Sequence, residues 1–164
     1  EPRKNLIELI KAFDTPQVRA LGVPLVIAGK PAWNANDTMA EIGRARNTMY
    51  VGFVSDEDRA ALMQKSAVFV FPSLYEGFGF PVVEALAAGT VVLTSDRGSL
   101  AEVAGPSLRL SQLDAEGIAE GVLRALTDDD ARRACVSTGR SWAARFDWDT
   151  SVEKHIAVYQ GVLN

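Results

Sequence analysis

The order of hydrophobic and polar residues along the chain predicts α-helices that alternate with short buried strands. Apolar residues between Leu6 and Phe13 recur at helical spacing, and Pro24–Ala28 then forms a continuous apolar run that ends at Gly29. The same succession repeats as far as Leu110. The predicted helices are Leu6–Phe13, Asp37–Arg46, Ser55–Lys65, Pro81–Ala88 and Ser99–Val103, and Ser55 is predicted to cap the third of them. The predicted strands are Pro24–Ala28, Thr48–Gly52, Ala67–Phe71, Thr90–Thr94 and Ser107–Leu110. From Ala115 onward the pattern predicts helices alone, at Ala115–Leu126, Asp129–Ala144 and Thr150–Leu163.

This alternation is typical of an α/β fold with a doubly wound parallel sheet of the Rossmann-like kind. Short strands that are apolar on both faces need helices on either side of the sheet. Ligands of such folds bind outside the carboxyl ends of the strands, so the segments after Ala28, Gly52, Phe71 and Thr94 are predicted to share one rim. The first predicted helix has no strand before it, and we therefore expect the native domain to continue upstream of Glu1.

Composition narrows the functional classes. A chain of 164 residues with 48% hydrophobic and 23% charged residues suits one globular domain. The net charge of -4 and the lack of a Lys/Arg-rich stretch argue against a nucleic-acid partner. No apolar run approaches the roughly 20 residues of a transmembrane segment, so a cytoplasmic location is predicted, with peripheral membrane attachment of a full-length protein left open. Cys135 is the single cysteine and is predicted to be a buried hydrophobic residue.

One segment carries most of the functional information. It is Pro72–Gly89, which follows a predicted strand and reads Pro-Ser-Leu-Tyr-Glu-Gly-Phe-Gly-Phe-Pro-Val-Val-Glu-Ala-Leu-Ala-Ala-Gly. Gly77 and Gly79 allow backbone N–H groups to approach a ligand closely, and the start of the following helix adds partial positive charge. This arrangement predicts a phosphate-binding site. Beside it, Glu76 and Glu84 would accept hydrogen bonds from neutral hydroxyl groups such as those of a sugar.

The segment resembles the Glu-x7-Glu signature of glycosyltransferases of the two-Rossmann-domain (GT-B) kind in family GT4. That signature reads roughly Pro-Ser-x-x-Glu-Gly-Phe-Gly-x-Pro-x-x-Glu-Ala-x-Ala-x-Gly, and nearly every constrained position is matched here. A dinucleotide fingerprint is the weaker alternative, because Val82 stands where its third glycine belongs.

The resemblance covers most of the chain. Further matching segments are Arg3–Leu6, Leu25–Gly29, Val51–Asp56 and Arg145–Trp148. It implies that residues 1–164 form the C-terminal nucleotide-sugar-binding domain, one half of a GT-B fold, without the N-terminal acceptor domain and without the first strand.

The resemblance also implies roles for individual residues. Glu76 would contact the donor sugar as the catalytic residue, and Glu84 would bind the ribose of the nucleotide. The backbone of Gly77, Phe78 and Gly79 would contact both the sugar and the phosphate of the donor. Lys4 would neutralise the diphosphate.

Two further donor-binding residues come from the matching loops: Gly29 follows the second strand of the family pattern, and Val54 lies in the loop beside the base. The family's arginine from a Gly-Arg pair is absent, and Arg3 does not match it. The diphosphate site is therefore predicted to be incomplete in this chain.

The predicted reaction is transfer of a hexose from a nucleoside diphosphate to an acceptor hydroxyl with retained anomeric configuration, as the resemblance implies. The sequence as a whole resembles mannosyltransferases of bacterial polysaccharide assembly. This resemblance makes GDP-mannose the first prediction for the donor. An acceptor sugar or lipid-linked sugar would bind the missing domain, so the isolated segment is predicted to be inactive. No metal and no other cofactor is expected. A nucleotide-sugar epimerase of GT-B fold and a non-catalytic nucleotide-sugar-binding module stay open as alternatives.

Structural roles compete with some of these assignments. Glu84 could complement the helix dipole, Glu76 could be an exposed loop charge, and Lys4 could be a solvated residue. Asp147-Trp148-Asp149 imitates a metal-binding motif, but Asp149 is predicted to cap the terminal helix instead. Asp128–Asp130 is predicted to be an acidic helix start, and His155 a surface or packing residue.

Overall fold

Five parallel strands connected by α-helices make up residues 1–163, which the computed structural model describes. The strands are β1 (Leu25–Ala28), β2 (Thr48–Gly52), β3 (Phe69–Phe71), β4 (Val92–Thr94) and β5 (Leu108–Arg109). The helices are α1 (Leu6–Asp14), α2 (Pro16–Arg19), α3 (Asn36–Arg44), α4 (Asp56–Lys65), α5 (Phe80–Ala88), α6 (Leu100–Val103), α7 (Ala115–Thr127), α8 (Asp129–Ala143) and α9 (Trp148–Leu163), and a 3-10 turn at Pro2–Lys4 precedes α1.

The strands hydrogen-bond in two parallel sets, β1-β2 and β3-β4-β5. This confirms the α/β fold with parallel strands, although the sequence predicted one continuous sheet. The N–H of Gly29 donates to the carbonyl of Gly52 at 2.7 Å, and the N–H of Ser95 donates to that of Phe71 at 3.3 Å. The carboxyl ends of the strands therefore lie side by side within each set.

The core is centred on β4. All three residues of β4 are buried, and both α5 and α7 pack on this strand. The fully buried side chains of the core include Val82, Leu86, Val92, Leu93, Ile118 and Val122. Cys135 is buried as predicted, and burial raises the pKa of its thiol.

Most helix boundaries follow from local signals. Ser55 caps α4, because its hydroxyl accepts a hydrogen bond from the N–H of Asp58 at 3.0 Å, as predicted. Asp128 caps α8 in the same way, which confirms the acidic helix start. Pro81 lies in the first turn of α5, where its missing N–H costs no hydrogen bond.

The predicted cap of the last helix was wrong. α9 begins at Trp148, and the carboxylate that accepts from the N–H of Thr150, at 2.9 Å, belongs to Asp147 rather than Asp149. This hydrogen bond lowers the pKa of Asp147. The prediction placed the helix start two residues late, which moved the cap to the second acidic residue. His155 is exposed, in agreement with its prediction.

No helix in the described part of the chain is long and apolar enough to cross a membrane.

Candidate functional site

The loop between β3 and α5 is held in place from two sides. The N–H of Leu74 donates to the carbonyl of Arg3 at 2.8 Å, which ties the loop to the 3-10 turn. On the other side, the hydroxyl of Ser99 donates to the carbonyls of Glu76 at 2.9 Å and Phe78 at 2.8 Å. The residues of the sequence motif are therefore positioned by elements that lie far away along the chain.

Glu76 is buried and holds two cations. Its Oε1 lies 2.7 Å from Nζ of Lys4, and its Oε2 pairs with Nη1 of Arg3. Burial by itself would raise the pKa of Glu76, but the hydrogen bonds, that from Lys4 foremost, outweigh burial and hold the pKa below its ordinary value. The same contact with Glu76 raises the pKa of Arg3. The structure thus rules out the alternative that Glu76 is an exposed loop charge.

The structure brings together Lys4 and Glu76, although 72 residues separate them. Arg3 joins them, and the sequence analysis did not assign it to the site. Its position next to Lys4 is the only sequence signal that could have indicated this. The guanidinium of Arg3 also donates to the carbonyl of Tyr75 at 2.9 Å.

The glycines of the loop leave backbone donors unused. Within residues 1–163, the N–H groups of Gly77, Phe78 and Gly79 donate to no protein oxygen. A Cβ built on Gly77 would meet nothing within 4 Å, whereas one on Gly79, where φ is 105°, would come within 2.6 Å of Cδ2 of Leu100. The loop therefore contains N–H groups without a protein acceptor just before α5, and the space beside Gly77 is open, an arrangement suited to an anion.

Glu84 lies in the second turn of α5 and pairs with α4. Its Oε1 and Oε2 are 3.3 and 3.0 Å from Nη1 of Arg59, which also contacts Asp56 at 3.2 Å. A cavity of about 280 Å³ between α4 and α5 is lined by these three residues together with apolar side chains that include Met63. The sequence analysis missed Arg59, because nothing in its local sequence indicates a partner on α5.

Gly29 and Val54 lie at the carboxyl ends of β1 and β2. The carbonyl of Gly29 accepts from the hydroxyl of Tyr50 at 2.8 Å, and Val54 is half-exposed just before the cap of α4. No hydrogen bond of the described residues joins either one to Glu76 or Glu84. Their positions agree with the predicted rim, and their contact with a donor stays a prediction.

An aromatic cluster connects the loop to the segment before α9. The ring of Phe78 lies 4.5 Å from that of Phe80 and 5.6 Å from that of Phe146, and Phe80 stacks on Trp148 at 6.4 Å. The matching segment Arg145–Trp148 therefore packs, through Phe146 and Trp148, on the same loop that carries Glu76.

The structure does not support the other candidate sites. Among the described residues, no group of three or more His, Cys, Asp and Glu side chains is arranged to hold a metal ion. The larger cavity, of about 520 Å³, is lined by residues of α6, β5 and α8, including Arg109 and Trp142, and contains none of the predicted site residues.

Comparisons with known proteins found similar sequences. The family model described as glycosyl transferases group 1 matches residues 1–142. The chain is 33% identical over 165 residues to O-antigen chain mannosyltransferase B of Escherichia coli, covering 98% of this chain and 43% of that protein. It is 32% identical over 168 residues to an MMP alpha-(1->4)-mannosyltransferase of Mycolicibacterium hassiacum, covering 99% of this chain and 41% of that protein.

Solved structures share the fold at lower identity. A UDP-forming α,α-trehalose-phosphate synthase from Burkholderia xenovorans superposes with a TM-score of 0.84 at 21% identity, over 100% of this chain and 43% of that one. Anabaena HepE in complex with UDP-glucose superposes with a TM-score of 0.77 at 18% identity, over 99% of this chain and 46% of that one. The chain thus spans less than half the length of these relatives and structures.

Proposed function

Because this chain belongs to the glycosyl transferases group 1 family, we propose that it forms the donor-binding half of an enzyme that transfers a hexose from a nucleoside diphosphate to an acceptor hydroxyl. The observation that carries this proposal is the Lys4–Glu76 pair beside the free N–H groups of Gly77, Phe78 and Gly79. A cation and three unused donors suit a diphosphate, and the carboxylate next to them suits a sugar.

The proposed chemistry is mainly electrostatic. When the bond between the sugar and the diphosphate breaks, negative charge develops on the departing oxygen. Lys4, the free N–H groups and the positive end of α5 would stabilise that charge. The low pKa of Glu76 keeps its carboxylate ionised at neutral pH, so that it can orient the sugar and support positive charge on it. In the proposed reaction the anomeric configuration of the sugar is retained, and no metal ion takes part.

Glu84 and its cavity suit the nucleoside. A carboxylate offers about four acceptor sites, and Arg59 uses two of them, which leaves acceptors for the two hydroxyls of a ribose. Gly29 and Val54 would line the same end of the sheet. We assign the ribose to Glu84 and the sugar to Glu76.

The donor is proposed to be GDP-mannose. Support comes from the two relatives named as mannosyltransferases, which align with at least 98% of this chain at 32–33% identity. The structure of Anabaena HepE in complex with UDP-glucose is only 18% identical to this chain and shares the fold alone. The acceptor, a sugar or lipid-linked sugar, would bind a part of the enzyme that this chain does not contain, so the chain alone is not expected to transfer sugar.

Calorimetry with a panel of nucleotides and nucleotide sugars tests the proposal. Glu84→Gln should weaken binding of GDP and GDP-mannose alike, by roughly 1.5–3 kcal/mol for a hydrogen bond to a charged group. Glu76→Gln should spare GDP and, in an enzyme that includes the acceptor half, should lower the transfer rate instead. Glu120→Gln, on the exposed side of α7, is the matched control. Donor binding and transfer within twofold of wild type for both site variants would contradict the assignment.

A further inference from the structure

The cavity lined by α6, β5 and α8 carries more positive than negative charge. Its volume of about 520 Å³ lies within the range of small-molecule sites. The charged side chains in its lining are those of Arg109, Arg145 and Glu102. None of these residues belongs to the proposed donor site or to the cavity beside Glu84, so their presence together calls for an explanation of its own.

Arg109 is a half-buried cation without an anionic partner. Its guanidinium donates to the carbonyls of Ser107 at 3.3 Å and Gly105 at 3.2 Å, and no carboxylate of residues 1–163 forms an ion pair with it. Burial lowers the pKa of Arg109, and the more distant charge of Asp96 offsets this only in part. Because a charge removed from water is unfavourable until an opposite charge meets it, this position favours an anion.

Arg145 brings a second unpaired cation to the same cavity. Its guanidinium lies over the ring of Trp142, 4.4 Å from the ring centroid, and it forms no ion pair in the described part of the chain. The ring of Trp142 packs so closely on Gly105 that a Cβ at that glycine would overlap it. Since the carbonyl of Gly105 accepts from Arg109, both guanidinium groups lie next to the same contact between Gly105 and Trp142.

We propose that this cavity binds a small phosphorylated molecule, with Arg109 and Arg145 contacting its phosphate group. A phosphate monoester carries about 1.5–2 negative charges at neutral pH, which matches two arginines. Guanidinium groups bind phosphate oxygens through a planar fork of N–H donors, and the two carbonyls leave donors of Arg109 unused. The volume leaves room for the rest of the molecule beside its phosphate. The proposal does not depend on the functions assigned to Glu76 and Glu84.

Nuclear magnetic resonance of the whole chain tests the site by its position. The indole N–H of Trp142 donates to the carbonyl of Val103 at 2.8 Å, and Trp142→Phe identifies its signal among the three tryptophans. Inorganic phosphate and glycerol 3-phosphate should shift this signal and the amide of Gly105 until the site is saturated. Glycerol, and sodium chloride at the same ionic strength, should not. Glycerol 3-phosphate should bind more tightly than inorganic phosphate, because the cavity has room for the ester.

Substitutions with effects of opposite sign separate a phosphate site from a general response to charge. Arg109→Gln should weaken binding of glycerol 3-phosphate by roughly tenfold or more, and the more exposed Arg145→Gln by roughly threefold or more. Glu102→Gln should strengthen binding by about twofold, because it removes a like charge from the lining. Arg133→Gln is the matched control: Arg133 is an exposed arginine of α8 that pairs with Asp130, and its removal should leave the affinity unchanged.

Several results would overturn the proposal. One is the absence of a saturable shift at Trp142 with either phosphate probe, and another is binding of the inorganic ion alone. Shifts confined to the amides of Gly77–Gly79 would assign the phosphate to the proposed donor site instead. An unchanged affinity in both Arg109→Gln and Arg145→Gln would contradict the arginine contacts. If Arg109→Gln does not fold, Arg145→Gln and Glu102→Gln, which change exposed side chains, decide the question by their opposite effects.

Discussion

Replacing Lys4 with methionine probes the ion pair on which the proposed site depends. The side chain of Glu76 is 9% exposed, while those of Lys4 and Arg3 are 29% and 38% exposed. Losing one cation should therefore cost more than the 0–1 kcal/mol of a surface pair and less than the 3–5 kcal/mol of a fully buried one, since Arg3 remains. We expect a loss of about 1.5 kcal/mol at pH 7, or roughly 3–6 °C in Tm.

The pH dependence of this loss identifies its origin. The pKa of Glu76 is lowered in the folded chain, so its contribution to stability is fully present above the ordinary carboxyl pKa and disappears as the pH falls through the lowered value. The difference in free energy of unfolding between wild type and Lys4→Met should shrink over that acidic range. Urea denaturation at a series of pH values measures it.

Lys11→Met is the control for this measurement. Lys11 pairs with Glu8 on the exposed face of α1 at 2.7 Å, the same distance as in the Lys4–Glu76 pair. Its removal should not change stability measurably, because solvent screens the pair. Equal effects of both substitutions at pH 7, or a Lys4→Met effect that does not change with pH, would refute the reasoning.

Three further outcomes are expected. Binding of GDP should be unchanged by a chelator, because the proposed charge at the diphosphate comes from protein groups; a loss of tenfold or more by calorimetry would reveal a metal site. Gly79→Ala should lower stability by roughly 1–3 kcal/mol in urea denaturation, since its φ is 105° and its Cβ would clash with Leu100, whereas Gly77→Ala should fold like wild type. Asp147→Ala should reduce helicity measured by circular dichroism more than Asp149→Ala does, and the reverse order would restore the original cap assignment.

Local sequence signals predicted the elements that depend on local physics. The bounds of β2 agree with the prediction at both ends, and the cap of α4 is the predicted Ser55. β4 was recognisable because all of its residues are apolar or small and it is buried on both faces. The four-residue helix α2 was missed, because it buries only Val18, whereas the equally short α6 buries Leu100 and Val103 at helical spacing.

Long-range pairing was the part that the pattern could not determine. Apolar runs identify strands, but they do not show which strands exchange hydrogen bonds, and the division into β1-β2 and β3-β4-β5 was not foreseen. The same applies to the site. Lys4 and Glu76 were both assigned from the family resemblance and do lie in contact, whereas Arg3 and Arg59 reach their carboxylates through the tertiary fold. Their contacts depend on the relative positions of segments rather than on the residues that flank them.

The division of the strands also affects how the purified chain will behave in solution. Within residues 1–163, the outer edges of β1 and β2 carry backbone N–H and C=O groups that no neighbouring strand satisfies. Apolar side chains are also exposed on one face of this pair, with Val26 at 42%, Met49 at 55% and Val51 at 43%. Unpaired strand edges beside an exposed apolar face are a template for strand pairing between molecules, so concentrated samples should aggregate by edge-to-edge addition. Met49→Lys would place a charge on that face and oppose the association.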